Sequence, residues 1–239
     1  ALCKRDPSRA EIGRAITNLG KKGPSLIAAD LFFSNARTEE EDSALEKALA
    51  GADVVLACSP NADLIPIPRF ESQAVGVGSV DFLVDGDGIL RSVPAPYLEP
   101  DGEGGFRLPH LPFSLECARL LWFPTDPPEV RVEGNTYFFG DHPFPTHRGA
   151  WRIPFCGGDG TLPATSMKDA IAGAPLPDLK GKVVLLGFTR PSVHDFYPVP
   201  LPWKKDRPDE PGQVQVASNT MSGVEVHGQA LSALLESFW

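Results

Sequence analysis

Residues 23–58 read GPSLIAADLFFSNARTEEEDSALEKALAGADVVLAC, and two apolar runs inside this stretch decide the fold. Ser25-Leu26-Ile27-Ala28-Ala29 reads as a buried strand ending at Asp30, and Val54-Val55-Leu56-Ala57-Cys58 as a second. Between them, Thr38 and Glu41 have the spacing of a helix capping box, Ala44, Leu45, Ala48 and Leu49 carry a helical stripe, and Gly51 stops it. A strand, a helix and a strand in that order leave a crossover long enough for parallel pairing, and such crossovers are right-handed. Both strands are apolar throughout instead of alternating, so helices are expected on both faces of the sheet.

Working outward, Ser8 and Glu11 make a further capping signal, and Ile12, Ala15, Ile16 and Leu19 line one face of a first helix that ends at Gly20. Far downstream, Leu179-Lys180-Gly181-Lys182 leads into Val183-Val184-Leu185-Leu186-Gly187, a third buried strand. The middle is more β-like. Val75 to Val80, with Gly76 and Gly78, and Ile89 to Val93 flank the turn Asp85-Gly86-Asp87-Gly88 and suggest a hairpin. Pro94 to Leu98 is expected on a sheet edge. Leu111 to Trp122 and Ser166 to Ala172 read as helices, with short strands at Glu129–Val132, Tyr137–Phe139 and Trp151–Ile153 between them. After a polar, proline-rich loop from Thr189 to Thr220, Ser222 and Glu225 repeat the capping spacing ahead of a closing helix with Val224, His227, Leu231, Leu234 and Leu235. The expected fold class is α/β: a layered domain with a mainly parallel central sheet covered by helices on both faces, plus a Pro/Gly-rich irregular β excursion at 99–165. It is read as one domain over 1–239.

The chain has 239 residues, 22 Lys plus Arg against 31 Asp plus Glu, and a formal net charge of −9. A charge of that sign argues against a nucleic-acid grip, which needs basic clusters to displace counterions. The 25 prolines and 23 glycines belong to stiff connections around a regular scaffold. No run approaches the length of a membrane-spanning helix. The opening Ala1-Leu2-Cys3-Lys4-Arg5 has no apolar core and no initiator Met, as in an excised piece, and Phe238-Trp239 at the other end is read as a packed helix end. The four cysteines, Cys3, Cys58, Cys117 and Cys156, lie far apart and match no zinc spacing. Cys58 and Cys117 sit in apolar runs and are expected as free core thiols.

Several chemical patterns fail on inspection. There is no G-x-S-x-G elbow. Gly181-Lys182 precedes a strand and is followed by Val183, so it is not a phosphate loop, and Gly76-x-Gly78 lacks a third glycine and a helix. Asp81, Asp85 and Asp87 hint at a calcium loop, but the twelfth position is Ser92, so turn chemistry is preferred and no metal is expected. The most reactive-looking groups are His194-Asp195, just after the third strand, and Glu225-x-His227; Asp30, ending the first strand, is expected to face the same crevice. Structural roles compete with each: Asp30 as a cap, His227 as a packed core imidazole.

The order of parts from Ser8-Arg9 through Gly23-Pro24, Ala29-Asp30-Leu31-Phe32-Phe33, Asp85-Gly86-Asp87-Gly88-Ile89-Leu90-Arg91, Leu179 to Gly187, His194-Asp195, Pro198-Val199-Pro200 and Ser222-Gly223-Val224-Glu225-Val226-His227 resembles the second class of CHASE domains. These are extracellular sensory modules associated with cyclases and histidine kinases. One departure is His194, where the family more often has a small polar residue such as Thr.

The resemblance implies a sensor held outside the cytoplasm of a bacterium as part of an inner- or plasma-membrane protein. It implies flanking transmembrane helices and a cytoplasmic cyclase or kinase output, with no catalysis in the domain itself. It implies a small-molecule or ionic signal, a possible homodimer and no cofactor. Asp30, Arg91, Asp195, Glu225 and His227 are singled out as ligand-binding candidates because they match recurrent polar positions near strand or helix ends. A local Arg91 or Arg190 offers a carboxylate partner despite the acidic field. The competing readings are a secreted hydrolase using His194 or His227 with Asp195, and a dimerisation module that binds no ligand.

Overall fold

The computed structural model describes residues 5–95, 99–100, 106–107, 110–126, 128, 130–133, 136–146, 149–190, 195–201 and 219–237. The expected features at Cys3, Pro96 to Leu98, Glu129, His194, Phe238-Trp239 and most of the 189–220 loop lie outside them. Among the described residues the helices are α1 (Arg9–Gly20), α2 (Glu39–Leu49), α3 (Pro68–Glu71), α4 (Phe113–Trp122), α5 (Met167–Ala172) and α6 (Gly223–Ser237). The chain divides into two compact units, Ala1–Val80 with Ala164–Gly187, and Asp81–Pro163 with Phe188–Trp239.

The first unit is the α/β layer expected from the two apolar runs. Strands Val183–Leu186, Leu26–Ala29, Val54–Cys58 and Gly76–Ser79 lie side by side in that order, all parallel. Ile27 registers with Val184 on one side and Val54 on the other. Every residue from Val54 to Cys58 has zero exposure, as do Ile27, Ala28 and Ala29, so both faces of these strands are covered. Ser8 caps α1 with a complete capping box: its side chain accepts from the Glu11 N–H while the Glu11 carboxylate accepts from the Ser8 N–H. Arg5 pairs with the same carboxylate and holds it at about 2, well below its ordinary range, with the Ser8 N–H assisting. Thr38 caps α2 and Ser166 caps α5. Where α1 crosses α2, a Cβ on Gly13 would come within 2.9 Å of the Ala44 carbonyl oxygen, so the helices approach at a distance only glycine permits.

One run was expected in the wrong place. Gly76–Ser79 is not a hairpin arm but the fourth parallel strand, pairing Val55 with Gly76 and Cys58 with Ser79. The connection from Cys58 carries α3 and is long enough for a crossover. The Asp85-Gly86-Asp87-Gly88 turn instead closes on its immediate neighbours, bringing Val84 opposite Leu90. The hairpin is therefore Leu83–Val84 with Leu90–Pro94.

The second unit contains that hairpin, extended by Ala150–Arg152 into a three-stranded antiparallel sheet. A separate antiparallel sheet orders His142–Pro145, Thr136–Phe139 and Val130–Glu133, so the expected β excursion consists of short antiparallel strands. Leu90, Val93, Ile153, Met221 and Val226 form a core of the second unit, with Phe82, Trp151 and Tyr197 packed against it. Cys58 and Cys117 are buried free thiols, as expected, and Cys156 is free and exposed.

The first unit is pinned by a buried ion pair. Arg9 of α1 and Asp42 of α2 are 2.5 Å apart, with side chains 6% and 3% exposed. The Arg9 guanidinium also donates to the Asn35 carbonyl and sits 5.8 Å from the Phe33 ring and 5.2 Å from the Phe70 ring. Burial alone pushes the Asp42 carboxyl up, but the Arg37 N–H and Arg9 outweigh it and keep the group below its usual value. Removing one partner of such a pair strands the other charge in a low-dielectric site. Asp42→Ala is accordingly expected to cost about 3–5 kcal/mol, read as a drop in the urea midpoint. Replacing Arg9 and Asp42 together by Met and Leu should cost distinctly less, and equal losses would show that the pair is not the cause.

Candidate functional site

Three of the five singled-out residues meet at the start of α6. The helix begins at Gly223, whose N–H donates to the Asp195 carbonyl oxygen at 3.0 Å. The Asp195 carboxylate accepts from the same N–H and from the Tyr197 hydroxyl, yet burial dominates and raises its pKa. Placing an acceptor and a carboxyl at a helix N-terminus satisfies amides that the helix leaves unpaired. A Cβ on Gly223 would overlap the Asp195 carboxylate, so this arrangement requires glycine.

The capping box expected from Ser222 and Glu225 does not form. The Ser222 hydroxyl is buried without a hydrogen-bond partner, because Asp195 takes its place. Glu225 turns away to the loop at 157–162. It accepts from the backbone N–H of Gly160 at 2.8 Å, of Thr161 at 2.9 Å and of Leu162 at 3.4 Å. Burial pushes its pKa up most strongly, with Asp159, which hydrogen-bonds to it, adding to the rise. One turn further on, the Gln229 side-chain oxygen accepts from the Cys156 N–H and thiol, each at 2.9 Å.

His227 is buried, 2% exposed, in a box of rings. Phe82 stacks on the imidazole with centroids 4.4 Å apart and planes at 23°, and Phe113 of α4 meets it edge-on at 5.2 Å. Its Nδ1 has no hydrogen-bond partner, and burial holds its pKa down to about 3. A general base for hydrolysis needs reach to a substrate and a pKa near the working pH; His227 has neither. It is the packed core imidazole of the competing sequence reading, minus a partner for one nitrogen.

Arg91 and Asp30 make other contacts. Arg91 is engaged by Asp85 and Asp87, both at 2.7 Å. The arginine holds the Asp87 carboxyl at about 2, with the Ile89 N–H assisting. Arg91 thus offsets part of the charge of the acidic turn. Asp30 belongs to the first unit, at the carboxyl end of its strand, where its N–H donates to the Leu186 carbonyl at 2.9 Å. The other four belong to the second. At the amino ends of the first unit's strands lies a depression of about 490 Å³ lined by Gly20, Pro24, Ala52, Asp53 and Gln73 among others, with Asp53 its only charged residue.

Sequence reasoning missed Asp159 and the amides of 160–162, which meet α6 across more than sixty residues of chain. The Gly157-Gly158-Asp159-Gly160 run was the available signal, a turn dense enough to present consecutive N–H groups. It also missed Phe82 and Phe113, whose role depends on two separate elements converging on His227. Among the described residues no group of three or more His, Cys, Asp or Glu is placed to hold a metal ion, and no helix is long and apolar enough to cross a membrane.

The family model of the CHASE2 domain matches residues 3–239, both units together, and the chain belongs to that family. CHASE2 domains are extracellular sensory domains of signalling receptors. No curated protein and no solved structure matches the chain.

The buried imidazole gives a pH dependence with a definite sign. Its folded pKa of about 3 lies below the ordinary 6.5, so the unfolded chain binds the proton more tightly. The contribution is complete above 6.5 and is lost progressively as the pH falls toward 3. His227→Phe keeps a ring in the box and removes an unpartnered nitrogen, so it should leave stability near neutral pH unchanged or improved. The variant should lose less stability than the wild type between pH 7 and pH 4.5 in urea titrations. Parallel losses would refute the assignment.

Proposed function

We propose that this domain is the extracytoplasmic input of a bacterial transmembrane receptor that controls a cytoplasmic cyclase or kinase. The observation that carries the reading is the CHASE2 match over residues 3–239. Flanking transmembrane helices, and a second copy of the receptor in a homodimer, are the partners through which a change in this domain would reach the output. The signal is a small molecule or an ionic condition.

The contacts made by the singled-out residues support a specific way of reading that signal. Arg91, Asp195, Glu225 and His227 are each engaged inside the second unit: with a turn, a helix terminus, a loop and a ring box. An incoming ion or ligand that competes for those partners, or for Asp30 in the first unit, would favour an arrangement in which α6 is held differently. Only a signal with unequal affinity for the two arrangements shifts their populations.

The test uses the intact receptor. Output is measured as cyclic nucleotide formed or phosphoryl group transferred, with the membrane level of the protein followed in parallel. Deleting residues 1–239 should change basal output severalfold, and Glu225→Ala should move it in the same direction by less. Unchanged output after the deletion would end the sensor reading.

A further inference from the structure

We propose that two lysine-glycine turns of the first unit, at 21–24 and 179–182, form a binding site for a multivalent phosphate-bearing anion. Their sequences are Lys21-Lys22-Gly23-Pro24 and Leu179-Lys180-Gly181-Lys182. Each turns on a glycine in the left-handed region, Gly23 at φ 67° and Gly181 at φ 71°, a conformation that a side chain disfavours. The Gly23 N–H closes the first turn on the Gly20 carbonyl at 3.0 Å, and the Lys182 N–H closes the second on the Leu179 carbonyl at 2.9 Å. The two turns, remote in sequence, are tied to each other. The Gly181 N–H donates to the Gly23 carbonyl at 3.2 Å, and the Ser25 N–H to the Lys182 carbonyl at 2.8 Å. From there the chain enters two paired parallel strands, with Leu26 opposite Val183. The backbone beneath the four lysines is therefore fixed before any ligand arrives.

Lys21, Lys22, Lys180 and Lys182 are all exposed. Arg5, Arg9, Arg69, Arg91, Arg119 and Arg131 each face a carboxylate, whereas none of these four lysines forms an ion pair among the described residues. The Lys21 ammonium reaches the neutral Asn18 side-chain oxygen at 3.5 Å. Asp178, which flanks the second turn, is directed to the backbone and accepts from the Lys180 N–H at 3.1 Å. The turns thus gather positive charge in a chain whose net charge is −9. At physiological ionic strength, exposed charges farther apart than about 8 Å are largely screened from one another, so the local patch and not the chain's total governs what binds there. Lysine presents a compact point charge without the planar fork by which arginine grips a carboxylate. Four such charges suit a ligand with several concentrated negative charges, which phosphate groups supply near neutral pH. The N–H groups of Lys21, Lys22, Gly23, Lys180, Gly181 and Lys182 are already taken by oxygens. Contact is therefore made by the ammonium groups, and it weakens as salt rises. That such an anion serves as the signal rests on the sensor reading above; its binding to these turns does not.

The 239-residue chain is titrated calorimetrically with sodium tripolyphosphate at low and at high sodium chloride. In parallel it is sedimented with vesicles of phosphatidylglycerol or of phosphatidylcholine. Tripolyphosphate should bind, and more weakly at high salt. Lys21→Gln, Lys22→Gln, Lys180→Gln and Lys182→Gln combined should weaken binding by about tenfold or more, as the sum of modest exposed pairs, and the two substitutions of either turn alone should give part of that loss. Lys168→Gln, which removes an exposed lysine on α5 of the same unit, should change nothing. Binding in either arm that is lost with the four lysines supports the site: tripolyphosphate points to a free anion, and phosphatidylglycerol alone to lipid headgroups. No binding in either arm, or binding that the four substitutions leave unchanged, would overturn it. Neither arm reads receptor output, so failure here is distinct from failure of the sensor reading.

Discussion

A strand that is apolar on both faces has no side to give to water. Leu26–Ala29 and Val54–Cys58 are such strands, and the architecture of the first unit follows from covering them. Each must be followed by a crossover that returns the chain to the same end of the sheet, and α2 and α3 lie in those crossovers. The helices press closely enough that Gly13 admits no side chain opposite Ala44. The polar ends of α1 and α2 are then drawn into the interior, where Arg9 and Asp42 satisfy each other and the Arg9 guanidinium lies against two phenylalanine rings. A pair this deep contributes less by its attraction than by the penalty for any arrangement that breaks it.

The carboxyl groups divide into two populations by the chemistry of their partners. Glu11, Glu39 and Asp87 face arginines and titrate low, each at about 2. Asp195 and Glu225 face backbone amides, a phenol and another carboxyl, and titrate high because burial is not offset by a cation. By linkage, the first group loses stabilisation as pH falls, whereas the second gains it. Groups of the second kind gather where α6 begins. Acid therefore acts on that end of the helix in the opposite sense to its action on the arginine-paired surface.

What was legible in the sequence was what a short stretch decides for itself. The capping box at Ser8 and Glu11, the unbroken apolar strands and the Asp-Gly turn each depend on residues a few positions apart, and each appears in the structure. Ser222 and Glu225 have the same spacing as Ser8 and Glu11 but a different outcome. Asp195 occupies the terminus of α6 and the 160–162 amides draw Glu225 away, so two tertiary contacts outcompete one local one. The strand Gly76–Ser79 was misplaced for a related reason. Its glycines and the nearby turn suited a hairpin, but only the edge left by Val54–Cys58 decides where the strand pairs. The candidate site was thus half visible. Asp195, Glu225 and His227 were identifiable as polar groups near a helix start, while the loop and rings that define their chemistry come from remote segments.

A sensory domain needs some contacts that never break and some that break readily. The first unit supplies contacts of the former kind: strands with no exposure and an ion pair whose separation strands a charge. The start of α6 is held by contacts of another kind, whose groups titrate away from their ordinary values. It is held by a carboxyl at its first N–H, a second carboxyl in a loop of amides, and an imidazole stacked on one ring and edge-on to another, and each of these changes strength when a proton is added. Proton uptake favours the buried Asp195 and Glu225 carboxyls and disfavours the buried form of His227 two residues beyond Glu225. A single helix terminus thus carries titratable contacts of opposite sign.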